Sequence, residues 1–448
     1  MTTTPPATAV AVPTTRQLLR RILALAAPTT LLALLQVAAQ LTETVLAARQ
    51  GTAALAGWAV MLPFALLLQQ MSTGAMGGGV VSAIARALGA GRRDEAATLV
   101  LHAVIIALLA GLAFALGVGG GAAFLLAAVA GPESARAATP YAAWLFGAGA
   151  VPAWLANTLA SVLRGGGRHG LAARSLALMW ITLPGLGWLL AEPAGLGLAG
   201  LGLAFALVSW AAALAMALIV ARGGAGFAPT LRARPSGALF KRILAVGAVA
   251  CALAAVANLT TILVTAQLRR YGTAAVAAYG ISARLEFLMI PLAFGVGSAL
   301  TALVGGAVGA GDWRTARRIA WLGAALALGV TGAAGLAVGL MPTGFARLFT
   351  SDVEVASIAA RALGFVGFAF GGFGLGMALY FASMGAGRMG WPIGGALARI
   401  TLAAGGGWVL AGPLGWGMDG HFLAVACGIT AYGLVTARGV RAAVWRGR

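Results

Sequence analysis

Charged residues are scarce in this chain: only 9% of its 448 residues are Asp, Glu, Lys or Arg, and 61% are hydrophobic. A soluble domain carries about 25% charged residues, because its surface must be hydrated. So few charges cannot coat a soluble particle of this length. The composition therefore predicts an all-α polytopic membrane protein.

Cysteine and histidine are almost absent as well. Cys251 and Cys427 both lie in apolar runs, so neither a disulfide framework nor a cysteine metal site is expected. The sequence contains no phosphate-binding loop, no HExxH and no plausibly spaced Ser/His/Asp set. We therefore expect neither an enzyme nor an ATP-driven motor, and no cofactor or metal.

Twelve apolar runs are long enough to cross a bilayer, which takes about 20 residues each. They lie near residues 22–45, 53–83, 97–118, 140–163, 175–191, 197–221, 243–267, 274–304, 319–340, 362–384, 391–411 and 422–440. Residues 119–130 either extend the third run or form an interfacial turn.

The net charge of +20 comes from cations placed between these runs. Of 30 cations, 23 fall on the side of the N-terminus, Arg399 among them, and six on the other side. Because basic loops stay in the cytoplasm, both termini are expected there, in the cell (inner or plasma) membrane. Residues 1–15 are expected to form a disordered cytoplasmic tail. The sequence contains no basic block that would indicate a nucleic acid partner.

The second half of the chain repeats the first. GTAALAGWAV (51–60) returns as GTAAVAAYGI (272–281), and the glycines of 89–91 and 167–170 return at 309–311 and 387–390. The offset is 220 or 221 residues throughout, which predicts a tandem duplication.

Six spans in each copy place a pseudo-two-fold axis along the membrane normal. We expect an N-terminal six-helix lobe (16–221), a cytoplasmic linker (222–240) and a C-terminal six-helix lobe (241–448). Two such lobes around a cavity are typical of transporters.

Two acidic residues, Glu43 and Glu286, fall well inside spans, and an ionisable group in hydrocarbon is a functional candidate by default. Glu43 is a candidate to exchange a proton, the alternative being an interfacial pair with Arg49. Arg284 and Glu286 point about 200° apart on one helix, so they cannot neutralise each other. Glu286 is expected either to pair with another helix or to bind proton or substrate.

Several uncharged polar side chains also lie inside spans. The candidates for lining a substrate cavity are Gln36, Gln40, Gln70, Asn157 and Asn258, together with Arg284. The alternative for each amide is a structural hydrogen bond between helices.

The first span resembles the opening helix of the multidrug and toxic compound extrusion (MATE) transporters. It has an early proline, Pro28, and an acid, Glu43, eight positions before the Gly51 of a G-T-x-A segment. Residues 77–96, 195–204 and 277–316 are also similar to segments of that family. The family usually has aspartate at the position of Glu43, and Asn and Asp where Met179 and Leu183 stand here.

The resemblance implies a monomeric secondary antiporter that exports organic, cationic and amphipathic small molecules in exchange for protons. Sodium is the less favoured coupling ion, because the carboxylates of sodium-coupled members are missing from the seventh and tenth spans. The alternative is a lipid-linked sugar flippase or another solute exporter of the same MOP flippase superfamily.

Overall fold

The computed structural model describes residues 13–230, 232–441 and 445, and this part of the chain is almost entirely helical. Its membrane-length helices are α1 Thr15–Arg49, α2 Thr52–Gly89, α3 Arg93–Val129, α4 Gly131–Ala148 with Ala150–Gly165, α5 His169–Ala191, α6 Gly197–Ala221, α7 Gly237–Tyr271, α8 Thr273–Gly309, α9 Trp313–Leu340, α10 Val353–Ala386, α11 Gly390–Ala411 and α12 Gly417–Arg438. Counting the two parts of α4, bent by 42°, as one span confirms the predicted twelve.

The ends of several elements differ from the predicted boundaries. Residues 1–12 of the predicted tail lie outside the described residues, but Thr14 caps α1 with a capping box and Thr15 is already helical. The stretch 119–130 extends α3 as far as Val129. The linker is shorter than predicted, because α7 begins at Gly237.

The duplication is visible in the backbone. The glycines with φ between +55° and +99° include five pairs separated by 220 or 221 residues: Gly51 and Gly272, Gly91 and Gly311, Gly167 and Gly387, Gly195 and Gly415, and Gly197 and Gly417. Because only glycine adopts this conformation without strain, the turns of both copies depend on it. Helices α1–α6 form the N-lobe and α7–α12 the C-lobe.

We call the end of the bundle with the loops at 90–92, 166–168, 222–236, 310–312 and 387–389 the basic end. Near this end the lobes touch at small residues. A Cβ on Gly79 of α2 would lie 2.8 Å from backbone atoms of Gly247 and Ile243 in α7. Ser82 of α2 donates a hydrogen bond of 2.6 Å to the Met384 carbonyl of α10. Small residues allow such close contacts where lipid supplies no hydrophobic drive.

All hydrogen bonds and ion pairs found between α1–α6 and α7–α12 in the described chain lie in the half nearer the basic end. Besides Ser82, they involve Arg242 with Glu95, His169 with Ser298, and Arg318 with Thr15. The apolar contact of α1 with α8 lies there too, where Ile22 and Ala26 share a buried cluster with Ala299. The lobes are thus closed against each other at the basic end.

The linker between the lobes is bound to the N-lobe. His102 of α3 accepts a hydrogen bond of 2.8 Å at Nε2 from the Ser236 amide, while its Nδ1 lies 2.9 Å from the Thr98 carbonyl. The Thr230 amide donates to the Ala97 carbonyl at 3.1 Å. Accepting at Nε2 leaves the proton of a neutral imidazole on Nδ1.

Enlarging Gly79 is expected to separate the lobes at the basic end. Gly79→Val places two methyl groups where backbone atoms of α7 now lie, and backbone cannot move aside as a flexible side chain can. Spin labels on α2 and α7 near the basic end should report a longer distance than in the wild type. Gly329→Val is the matched control, since nothing lies within 4 Å of a Cβ there. Equal distances in all three proteins would contradict the packing described.

Candidate functional site

Glu43 lies in the half of α1 farther from the basic end and is held by two aromatic donors. The Tyr141 hydroxyl of α4 donates to Glu43 Oε1 at 2.8 Å, and Trp58 Nε1 of α2 donates to the same oxygen at 3.3 Å. Both aromatic rings are buried. Oε2 has no hydrogen-bond partner in the described chain, so this oxygen can take up a proton or face a ligand.

The alternative pair of Glu43 with Arg49 does not form. Arg49 Nη1 lies 3.3 Å from Oε1 of Glu192, which follows α5, and both side chains are partly exposed. Glu43 takes part in no ion pair among residues 13–230, 232–441 and 445. It is therefore an acid that only neutral donors contact.

Gln40 and Gln36 lie about one and two turns before Glu43, on the same face of α1. All three side chains are half-buried. Leu41 and Val45, on another face of the helix, are exposed. The structure thus brings two of the predicted cavity residues into line with the acid.

A second polar cluster joins α2 and α4. Asn157, which is buried, donates from Nδ2 to Gln69 Oε1 at 3.1 Å and to Ser72 Oγ at 2.9 Å. The cluster lies where α2 widens into a π-helical turn, Gln70–Ala75. Asn157 therefore makes the interhelical hydrogen bond that was its alternative role, and its partners are Gln69 and Ser72 of α2. Gln70 is half-buried on the same helix.

The C-lobe holds a buried ion pair between α8 and α11. Glu286 Oε1 contacts Arg399 Nη2, and the two side chains are only 11% and 12% exposed. The guanidinium also lies 5.8 Å from the centre of the Phe373 ring of α10. The prediction that Arg399 belongs with the cytoplasmic loop cations is wrong, because Arg399 lies in the middle of α11. A single arginine inside an apolar run is tolerated there because Glu286 faces it.

Arg284 and Asn258 have different surroundings. Arg284 is exposed, on the α8 face that farther along contacts Thr30 of α1 through Gly295. Asn258 is half-buried in α7 and donates to the Ala254 carbonyl of its own helix at 2.9 Å. Neither Arg284 nor Asn258 takes part in the Glu286–Arg399 ion pair.

Tyr141 and Ser72 were not found from the sequence. One tyrosine among the apolar residues of α4 gives no signal of its own, since its role depends on the bend that brings α4 to α1. Ser72 gives no sequence signal either, because serine is common in membrane helices. A repeat comparison would not have helped either: the position 220 residues after Tyr141 is Arg361, which pairs with Asp419.

Curated relatives and solved structures are similar to this chain. It is 28% identical over 289 residues to the probable multidrug resistance protein NorM of Geobacillus kaustophilus, covering 61% of this chain and 62% of that protein. The protein of the same name from Rhodopseudomonas palustris is 28% identical over 371 residues, covering 76% of this chain and 73% of that one.

Two solved structures share the fold over almost the whole chain. The Vibrio cholerae MATE transporter VcmN in its bent form has a TM-score of 0.87 at 21% identity, covering 97% of this chain and 99% of that one. A MOP superfamily transporter from Pyrococcus furiosus has a TM-score of 0.88 at 21% identity, covering 97% and 98%.

The MatE family model matches residues 28–191 in the N-lobe and 248–408 in the C-lobe. These two stretches hold Glu43 with both of its donors and the Glu286–Arg399 pair. Since they make up more than half of the sequence, the chain belongs to the MatE family.

Proposed function

We propose that this protein is a secondary antiporter that exports organic cations from the cytoplasm in exchange for protons. The observation that carries the proposal is Glu43, the one acid well inside a described span that has no cationic partner. Family membership and the similarity to the NorM relatives, which are probable multidrug resistance proteins, support export of drug-like compounds.

The surroundings of Glu43 favour a proton over sodium as the coupling ion. Sodium, like other hard cations, requires several oxygen lone pairs directed at it. Here the groups nearest Glu43 Oε1 are an O–H and an N–H, which point hydrogens at that oxygen. Donors of this kind stabilise a free carboxylate, while Oε2 is left to exchange the proton.

The way the lobes meet supports alternating access as the transport mechanism. The contacts between them lie at the basic end, which the distribution of arginines assigns to the cytoplasm. The structure then corresponds to a state closed toward the cytoplasm, in which Glu43 takes up a proton from outside. Protonation removes the charge that attracts an organic cation, so proton and substrate favour different states of one equilibrium.

Lipid-linked sugar flippase activity is the second candidate, and the exposed Arg284 favours it, because an anionic headgroup needs a cation. Arg399 adds nothing to that reading, since Glu286 neutralises it. In the proteoliposome assay below, proton-independent movement of an anionic lipid, with no cation export, would support this alternative.

Replacing Glu43 tests the coupling site. Glu43→Gln is expected to lower export driven by a pH gradient at least tenfold, because an amide keeps an acceptor for Tyr141 and Trp58 but cannot release a proton. Glu43→Asp should retain part of the export, since the carboxyl remains but sits farther from both donors. Uptake of a fluorescent organic cation into inverted proteoliposomes measures this.

Glu192→Gln is the matched control: it neutralises an exposed acid paired with Arg49 and should transport like the wild type. An imposed sodium gradient without a pH gradient should drive no uptake in any of these proteins. Wild-type export by Glu43→Gln would move the coupling site elsewhere, and uptake driven by sodium alone would overturn proton coupling.

The Glu286–Arg399 pair is tested by single and double replacement. Glu286→Gln leaves Arg399 buried and unpaired, which should cost about 3–5 kcal/mol of stability and lower membrane abundance. Glu286→Gln with Arg399→Met removes both charges and should restore most of the abundance. Normal export by the double variant identifies the pair as structural. Restored abundance without export would instead assign Glu286 to proton or substrate binding.

A further inference from the structure

Arg164 is a cation enclosed at the interface between the lobes. It lies in the last turn of α4, near the basic end, and its side chain is 1% exposed. Most arginines of this chain lie in loops or at exposed helix ends, where water solvates the guanidinium. Arg164 has lost that water, so its charge must be balanced by other groups.

No acid in the described chain provides that balance. The ion pairs found in residues 13–230, 232–441 and 445 use other cations, and Nη2 of Arg164 is buried without a hydrogen-bond partner. The carbonyls at the C-terminus of α4 offset part of the charge. A helix end carries only about half a unit charge, so a positive charge remains.

A small cavity lies against this guanidinium, with walls from both lobes. The N-lobe contributes Thr73, Gly74, Gly78, Val81 and Arg164, and the C-lobe contributes Phe294, Ser298, Thr301 and Phe381. Its volume, counted for the centre of a water-sized sphere, is about 10 Å³. That leaves room for one water molecule or one monatomic ion.

The polar groups of the cavity wall include donors that are free to bond. Thr73 Oγ1 is buried without a partner, like Arg164 Nη2. Ser298 Oγ makes only a long contact of 3.4 Å, to His169 Nε2. Thr301 is different, because its hydroxyl already donates to backbone carbonyls of Gly297 and Phe381. A guanidinium with two adjustable hydroxyls around one small space is a set of donors for an anion.

We propose that this cavity binds one chloride ion, held by the Arg164 guanidinium and the hydroxyls of Thr73 and Ser298. Water would fill the same space but would leave the positive charge unbalanced. Because both lobes form the wall, chloride is bound only while the lobes are closed at the basic end. Chloride therefore stabilises that state relative to the one in which the lobes have separated.

The second copy of the repeat lacks this site. At an offset of 220, Arg164 corresponds to Met384 and Gly78 corresponds to Ser298. A Cβ on Gly78 would collide with the Met384 side chain, so that side chain fills the equivalent space. The interface is closed by a thioether at one of its two related positions and by a cation with an anion at the other.

Halide-dependent stability of the purified full chain tests the proposal. Thermal unfolding is measured in lipid nanodiscs in sodium chloride, bromide or gluconate at constant ionic strength. The wild-type Tm should rise in chloride and bromide, saturating as one binding site requires. Arg164→Gln should lose this rise, and Arg164→Lys should keep part of it. Arg168→Gln, which removes the exposed cation of the next loop, should respond like the wild type.

Crystals of the wild type grown in bromide provide a measurement that needs no variant to fold. An anomalous peak in the cavity beside Arg164 is expected. Its absence, an equal Tm in halide and gluconate, or a halide response kept by Arg164→Gln would each overturn the proposal. None of these readouts involves transport. Their outcome is therefore independent of whether Glu43 couples export to protons.

Discussion

The free energy of placing a charge in hydrocarbon governs the arrangement of this molecule. It leaves few ways to keep an ionisable group inside the bundle, and the chain uses three of them. Among the residues that the structure describes, Glu43 is contacted only by neutral donors, Glu286 is matched by Arg399, and Arg164 is enclosed between the lobes with no acid beside it. These arrangements differ in how the charge is balanced, and they distinguish Glu43, the proposed proton-exchanging group, from the paired Glu286 and the enclosed Arg164.

The two lobes have similar backbone turns but different polar residues in their interiors. Paired glycines with positive φ keep the turns of both copies alike. The polar centres do not correspond: at the offset of the repeat, Glu43 aligns with Val264 and Arg399 with Met179. After duplication the turns were constrained by backbone geometry, whereas each lobe interior was free to acquire its own polar groups. The unpaired acid Glu43 in one lobe and the Glu286–Arg399 ion pair in the other are consistent with that freedom.

The sequence predicts most of the fold, because its signals are long and redundant. About 20 apolar residues are needed for each span, and the repeat supplies most of the turns twice. The interior contacts are harder to predict, since each depends on one residue and on helices far apart in sequence. Glu43 and Glu286 stand out as acids in apolar runs. Arg399 was wrongly predicted to be a loop cation, because a lone arginine in the sequence does not reveal the partner Glu286 on another helix. Tyr141 has no sequence signal at all.

The linker gives the molecule an uneven mechanical design. Ser236 and Thr230 are both hydrogen-bonded to α3, so the connection between the lobes is attached to the N-lobe at both of these points. The part of the linker that is free to change conformation between the lobes is then only the backbone between Ser236 and the first turn of α7. The linker therefore acts as a short hinge beside the glycine contacts between α2 and α7, and not as a long flexible segment. In the alternating-access cycle proposed above, the C-lobe would turn about a pivot fixed to the N-lobe, so that a small rotation there would become a large displacement at the far end of the bundle.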